Sequence, residues 1–230
     1  RAIQADAAAG QKAPEAVYKR ALSIAYDAKL PNAVDLAREW VAAYPSPDSW
    51  HNAIAVYRNE YHPDEESTLD LLRLMQAAGA LTTPGDYSLF LEAAADQSNY
   101  NEAQAIVNAG IAAHVINPAD SRFKSDIAAL NTKSKATVAD LETATKTAAN
   151  ATALLRIGDR YYGMGDFAQA ADLYRQAKAK GVDADLANLH LGMALARSGD
   201  KAGATAALNA VTGARAEVAK FWLAYVQQHA

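Results

Sequence analysis

Cysteine is absent from the 230 residues, and phenylalanine (four), methionine (three) and tryptophan (three) are scarce. Without cysteine there is no disulfide framework and no thiolate metal site. Excess positive charge is missing too. The 22 basic residues interleave with 26 acidic ones for a net charge of −4. A nucleic-acid binder would show a basic stripe, so nucleic acid is excluded as a partner. No apolar run approaches the roughly 18 residues of a membrane span, so no transmembrane segment is expected. The alternating Val/Ile/Thr pattern of strands is lacking.

Catalytic signatures are also missing. The five histidines, His51, His62, His114, His190 and His229, do not pair at metal-ligand spacing, and there is no H-E-x-x-H. Gly163-Met164-Gly165 has no third glycine, preceding strand or lysine, so it is not a nucleotide loop. No G-x-S-x-G elbow occurs. The carboxylates read as solvated helix-surface groups. No catalytic, cofactor-binding or metal-ligating residue is therefore expected, and the chain does not read as an enzyme.

What the sequence has in abundance is alanine, about a quarter of the chain. Alanine is the strongest helix former, and its small side chain lets helices approach closely. With 51% hydrophobic residues and a mean hydropathy of only −0.17, the chain reads as closely packed helices. Between the periodic segments stand Pro/Gly/Asp clusters: Pro45-Ser46-Pro47-Asp48, His62-Pro63-Asp64, Thr83-Pro84-Gly85-Asp86, Asn117-Pro118 and Gly181-Val182-Asp183. Such clusters stop one helix and cap the next.

A period runs through these segments. Leu154, Ile157, Gly158 and Tyr161 are followed by Ala170, Tyr174 and Ala177. Thirty-four residues on come Asn188, Leu191, Gly192 and Leu195, then Ala204, Leu208 and Val211. Trp222, Tyr225 and Val226 open a third copy. Weaker copies start near Val17, Trp50 and Tyr87, and a worn one fills the gap around 118–150. The pattern resembles the tetratricopeptide repeat, W-x2-L-G-x2-Y then A-x3-F at a 34-residue period. The resemblance is clearest over 151–230 and names no individual protein. It implies an all-α, right-handed superhelical solenoid of about six antiparallel helix pairs plus a terminal capping helix. The expected divisions are a low-complexity lead-in (1–13), degenerate repeats (14–117), an atypical polar repeat or hinge (118–150) and well-formed repeats with the cap (151–230). In that cap the aromatics Phe221, Trp222 and Tyr225 should turn inward and the glutamines should face water. The lead-in and the missing initial methionine fit an exported, periplasmic chain of bacterial type whose signal peptide has been removed. A cytoplasmic chain with a trimmed start is the alternative.

In the resembling family the first helix of each repeat lines a concave groove that holds a peptide. Carried onto this sequence, the partner-binding residues would be Tyr18, Tyr26, His51, Asn52, Arg58, Asn59, Glu92, Arg156, Asp159, Tyr162, His190, Met193 and Arg197. Tyrosine and arginine are typical recognition anchors. The expectation is a non-catalytic scaffold or adaptor for a protein or peptide, with a homodimer also compatible. Alternatives are a scaffold fragment of a larger cell-envelope assembly, and a small-ligand or enzymatic helical-repeat protein in which His51, Glu92 and Arg156 converge.

Overall fold

The computed structural model describes Ile3 and residues 10–133 and 135–229; the rest of the lead-in, Ser134 and Ala230 lie outside the described residues. Among the described residues are thirteen α-helices, one short 3-10 turn (Gly213–Arg215) and no strand. In chain order the helices are α1 (Glu15–Asp27), α2 (Ala33–Ala43), α3 (Pro47–Tyr61), α4 (Glu65–Ala77), α5 (Pro84–Asp96) and α6 (Tyr100–Ala112). There follow α7 (Ser121–Asn131), α8 (Val138–Lys146), α9 (Ala151–Gly163), α10 (Phe167–Ala179), α11 (Ala184–Ser198), α12 (Lys201–Asn209) and α13 (Ala216–Gln228).

The punctuation acts through capping. Ser46 and Thr83 cap α3 and α5, each with proline at the first helical position. A capping side chain accepts an otherwise orphaned backbone N–H, and proline there sacrifices no hydrogen bond. Asp64 caps α4 by accepting from the Ser67 N–H at 2.7 Å. Each helix from α8 to α12 likewise starts on a Thr, Asn or Asp side-chain cap.

Consecutive helices pack on one another, α7 and α8 excepted, as in a helical repeat. The periodic glycines set how closely. A Cβ on Gly158 would lie 2.7 Å from the Tyr174 ring, and one on Gly192 would lie 2.5 Å from Leu208. The two glycines are 34 residues apart, and so are their contacts. The same local contact therefore recurs in two successive helix pairs, α9/α10 and α11/α12.

The polar stretch between the two halves is split. Helix α7 packs on α5 and α6, whereas α8 packs on α9. Asn101 of α6 holds the intervening loop through paired hydrogen bonds with the Ala136 N–H and C=O, at 3.1 and 3.0 Å. The end of the lead-in is also fixed. Ala13 is buried, its carbonyl accepts from Tyr44 Oη at 2.8 Å, and Lys12 Nζ sits 3.6 Å from the Tyr44 ring centre.

The two halves then fold face to face. Helix α13 packs on α2 and α4. Phe221 meets Tyr57 edge-on at 5.6 Å, and the Trp222 indole N–H donates to the Asp70 carbonyl at 3.3 Å. Gln228 accepts from the Trp50 indole at 3.1 Å and donates to the Val41 carbonyl at 3.0 Å. Ion pairs Arg38–Glu217 and Arg215–Glu66 flank this seam. Farther along, α11 meets α4 through His190 and Asp70, and α9 meets α6 where a Cβ on Gly163 would stand 2.6 Å from Glu102 Cβ. So α13, α11 and α9 lie against α2, α4 and α6 in that order. The terminal aromatics do turn inward, but they cover the N-terminal half. Gln228, expected in water, is half-buried and bridges the seam; Gln227 is exposed.

Candidate functional site

Where the halves meet, five ionisable side chains are 0–7% exposed: Asp70 and Arg73 (α4), Glu102 (α6), Asp159 (α9) and His190 (α11). Arg73 grips Glu102 with two bonds of 2.8 Å and reaches Asp70 at 3.2 Å and Asp159 at 3.9 Å. His190 stands between the other two carboxylates, Nδ1 at 3.0 Å from Asp159 and Nε2 at 3.3 Å from Asp70. These are ion-pair distances at angles outside hydrogen-bond geometry. Tyr174 Oη donates to Asp159 at 2.8 Å.

The surroundings fix the charge states. Burial disfavours a charged imidazole, but Asp70 and Asp159 outweigh it and raise the His190 pKa to about 10. Burial would raise Asp159, but His190, Arg73 and the Tyr174 hydroxyl hold it below the usual carboxylate range. Two cations therefore face three carboxylates in a water-poor interior. Breaking one partner away would strand a buried charge.

Two openings flank this cluster, at opposite ends of α4, α9 and α11. The larger is a cleft of about 1130 Å³. Its walls are the N-terminal turn of α4 (Asp64, Glu65), the α5–α6 turn (Asp96), one face of α9 (Arg156, Arg160) and the α10–α11 loop (Asp183), with Asp159 at its floor. Arg156 and Arg160 make no ion pair or side-chain hydrogen bond among the described residues. The smaller, about 200 Å³, is bordered by Tyr162, Phe167, Glu102 and Arg197. The Arg197 guanidinium lies 4.7 Å from the Phe167 ring centre, and the Tyr162 hydroxyl is buried without a hydrogen-bond partner.

Two further pockets continue the large cleft along α5. One, about 250 Å³, shares Glu65 and Asp96 with it. The other, about 330 Å³, lies between α5, α6 and α7 and also borders Asp96.

The sequence-derived groove residues separate into three groups. Asp159, Tyr162, His190 and Met193 are buried, and of these only Asp159, at the floor of the large cleft, and Tyr162, beside the small opening, border either of the two openings. The physical reason is the folding-back: helices α9 and α11, which should have lined an open groove, are covered by α4 and α6. In the N-terminal half, Tyr18 is buried with its ring edge-on to Tyr44 at 5.8 Å. Asn59 donates to Tyr26 Oη at 3.1 Å, Asn52 is bonded to Asp48, and His51 Nε2 lies 3.1 Å from Asp86 Oδ1. Arg58 is half-buried, its pKa lowered by that burial despite Asp86. These bonds tie α1 to α3 and α3 to α5. The remaining group faces solvent: Arg156 on the large cleft, Glu92 on the α5 pockets and Arg197 on the small opening. Among the described residues Arg156 lines the large cleft and Glu92 the two α5 pockets, and His51 lines none of these three.

Sequence reasoning missed Asp70, Arg73 and Glu102, and it missed Arg160 and Asp96 beside the cleft. A signal existed for the first two. Asp70 and Arg73 interrupt the apolar run Leu69–Met75 one helical turn apart, the spacing of a buried pair.

Comparison with protein-family models and with curated proteins gives no match.

Proposed function

We propose that the chain is a non-catalytic, tetratricopeptide-like scaffold or adaptor that holds a peptide or protein segment in the large cleft. One observation carries this reading. A cleft of about 1130 Å³ sets unpaired Arg156 and Arg160 on one wall against Asp64, Glu65, Asp96 and Asp183 on the others. Asp64 and Asp183 are engaged as helix caps, but Glu65 and Asp96 are unpaired like the two arginines, and free charges of both signs on one polar cleft suit a ligand that carries both, as a peptide does through its side chains and backbone. The volume exceeds that of a typical small-molecule pocket, roughly 300–1000 Å³. The buried charge cluster has a different role in this reading: it clamps the two halves and keeps the cleft walls in place.

The test is affinity capture from envelope and cytosolic extracts. Wild-type chain is compared with an Arg156→Ala, Arg160→Ala variant. A partner held by wild type and lost by the variant supports the cleft. A partner held equally by both, or none held by either, contradicts it.

A further inference from the structure

The 330 Å³ pocket between α5, α6 and α7 has an apolar floor, Leu91, Ala95 and Leu130, and one aromatic wall, Tyr100. Around its mouth stand Glu92, Asp96 and Asp126. Glu92 and Asp96 lie one helical turn apart on a single face of α5 and have no cationic partner among the described residues. Like charges at that spacing repel. Asp96 is moreover the last residue of α5, where the free carbonyls already concentrate partial negative charge and a cation would be favoured. Lys133 also lines the pocket but forms an ion pair with neither carboxylate, so this local electrostatic cost is only partly offset. The lysine's position shows what a second cation would find. Lys133 Nζ lies 5.5 Å from the Tyr100 ring centre, a cation resting on the aromatic wall. An apolar trough ending in an aromatic face and carboxylates matches a long basic side chain, whose methylene stem prefers apolar surface and whose head prefers charge.

We propose that this pocket seats a lysine or arginine side chain of the segment lying in the large cleft, so that the bound segment carries at least one basic residue there. The inference rests on the cleft reading above, and Asp96 supplies the geometry. It borders the large cleft, the 250 Å³ pocket beside it and the α5–α6–α7 pocket. A chain in the cleft therefore passes the pocket mouth.

The experiment is fluorescence anisotropy with two end-labelled octapeptides, alternating Lys-Gly and alternating Glu-Gly. Three variants are compared with wild type: Glu92→Gln/Asp96→Asn, Tyr100→Ala, and the charge-matched control Glu39→Gln/Glu60→Gln on exposed faces of α2 and α3. Circular dichroism checks that each is folded. The Lys-Gly peptide is expected to bind wild type and the control alike. Its Kd should rise about tenfold in the α5 double variant and about threefold or more in Tyr100→Ala, while any binding of the Glu-Gly peptide is not weakened by either variant. Equal losses of both peptides in the α5 variant, or equal losses of the Lys-Gly peptide in the control and the α5 variant, overturn the proposal. The two readings fail separately. If a native partner is lost by Arg156→Ala/Arg160→Ala but kept by Glu92→Gln/Asp96→Asn, the cleft stands and the basic-segment inference falls. If the peptide pattern holds but no native partner is captured, the pocket stands and the scaffold reading falls.

Discussion

Arg73 shows how much one side chain can organise here. Its guanidinium touches carboxylates from α4, α6 and α9. Replacing it with methionine leaves Glu102 buried without a cation and leaves Asp70 and Asp159 to His190 alone, so Arg73→Met should cost about 3–5 kcal/mol in urea unfolding. His190 makes a pH signature. Its folded pKa of about 10 exceeds the ordinary 6.5. The folded state therefore keeps a proton that the unfolded chain releases, and the linked stability is complete below pH 6.5 and drains away as pH rises to 10. Thermal melts across that range should show a falling Tm, and His190→Gln should flatten the slope. Asp159 has the opposite sign: its contribution is present above the ordinary carboxylate pKa and is lost in acid. The residues of this cluster were hard to see in the sequence because each looks like a surface charge of its own helix. Only Asp70 and Arg73, set within leucines, carry a local sign of burial.

At the scale of the element, the 34-residue period made the close approach of neighbouring helices legible. Gly158 and Gly192 each face the residue 16 positions on, so the pattern is local. Gly163 stands outside it, because its neighbour Glu102 belongs to the other half. For the same reason the docking of α13 was read only as an end cap. The aromatics signalled burial, but not against which helix. Trp222 is fully buried against α4, and Trp222→Ala should cost about 3–5 kcal/mol. Asp96→Asn should act the other way. Removing an unpaired carboxylate from the carbonyl end of α5 should stabilise the free protein by about 0.3–1 kcal/mol. A loss of stability on that change would mean Asp96 is structural and would undercut its place in the binding pocket.

For the molecule as a whole, the helical class and the sequence of helix pairs followed from composition, capping and period. The face-to-face closure did not follow. It depends on contacts such as Trp50–Gln228 and Arg38–Glu217, nearly two hundred residues apart in the chain, and no periodicity encodes them. The consequence is functional. The N-terminal half covers the face that the C-terminal helix pairs would otherwise offer, which is why the proposed recognition is placed in the cleft at the end of the seam. The most direct test uses the absence of cysteine. Arg38→Cys and Glu217→Cys, introduced together, give two thiols and no others, which a short bis-maleimide can bridge in dilute solution. Closure predicts rapid, high-yield linkage within single chains, located by mass spectrometry to α2 and α13. Failure to form that intramolecular link, with both thiols reactive toward a monofunctional maleimide, would contradict it and restore an open array.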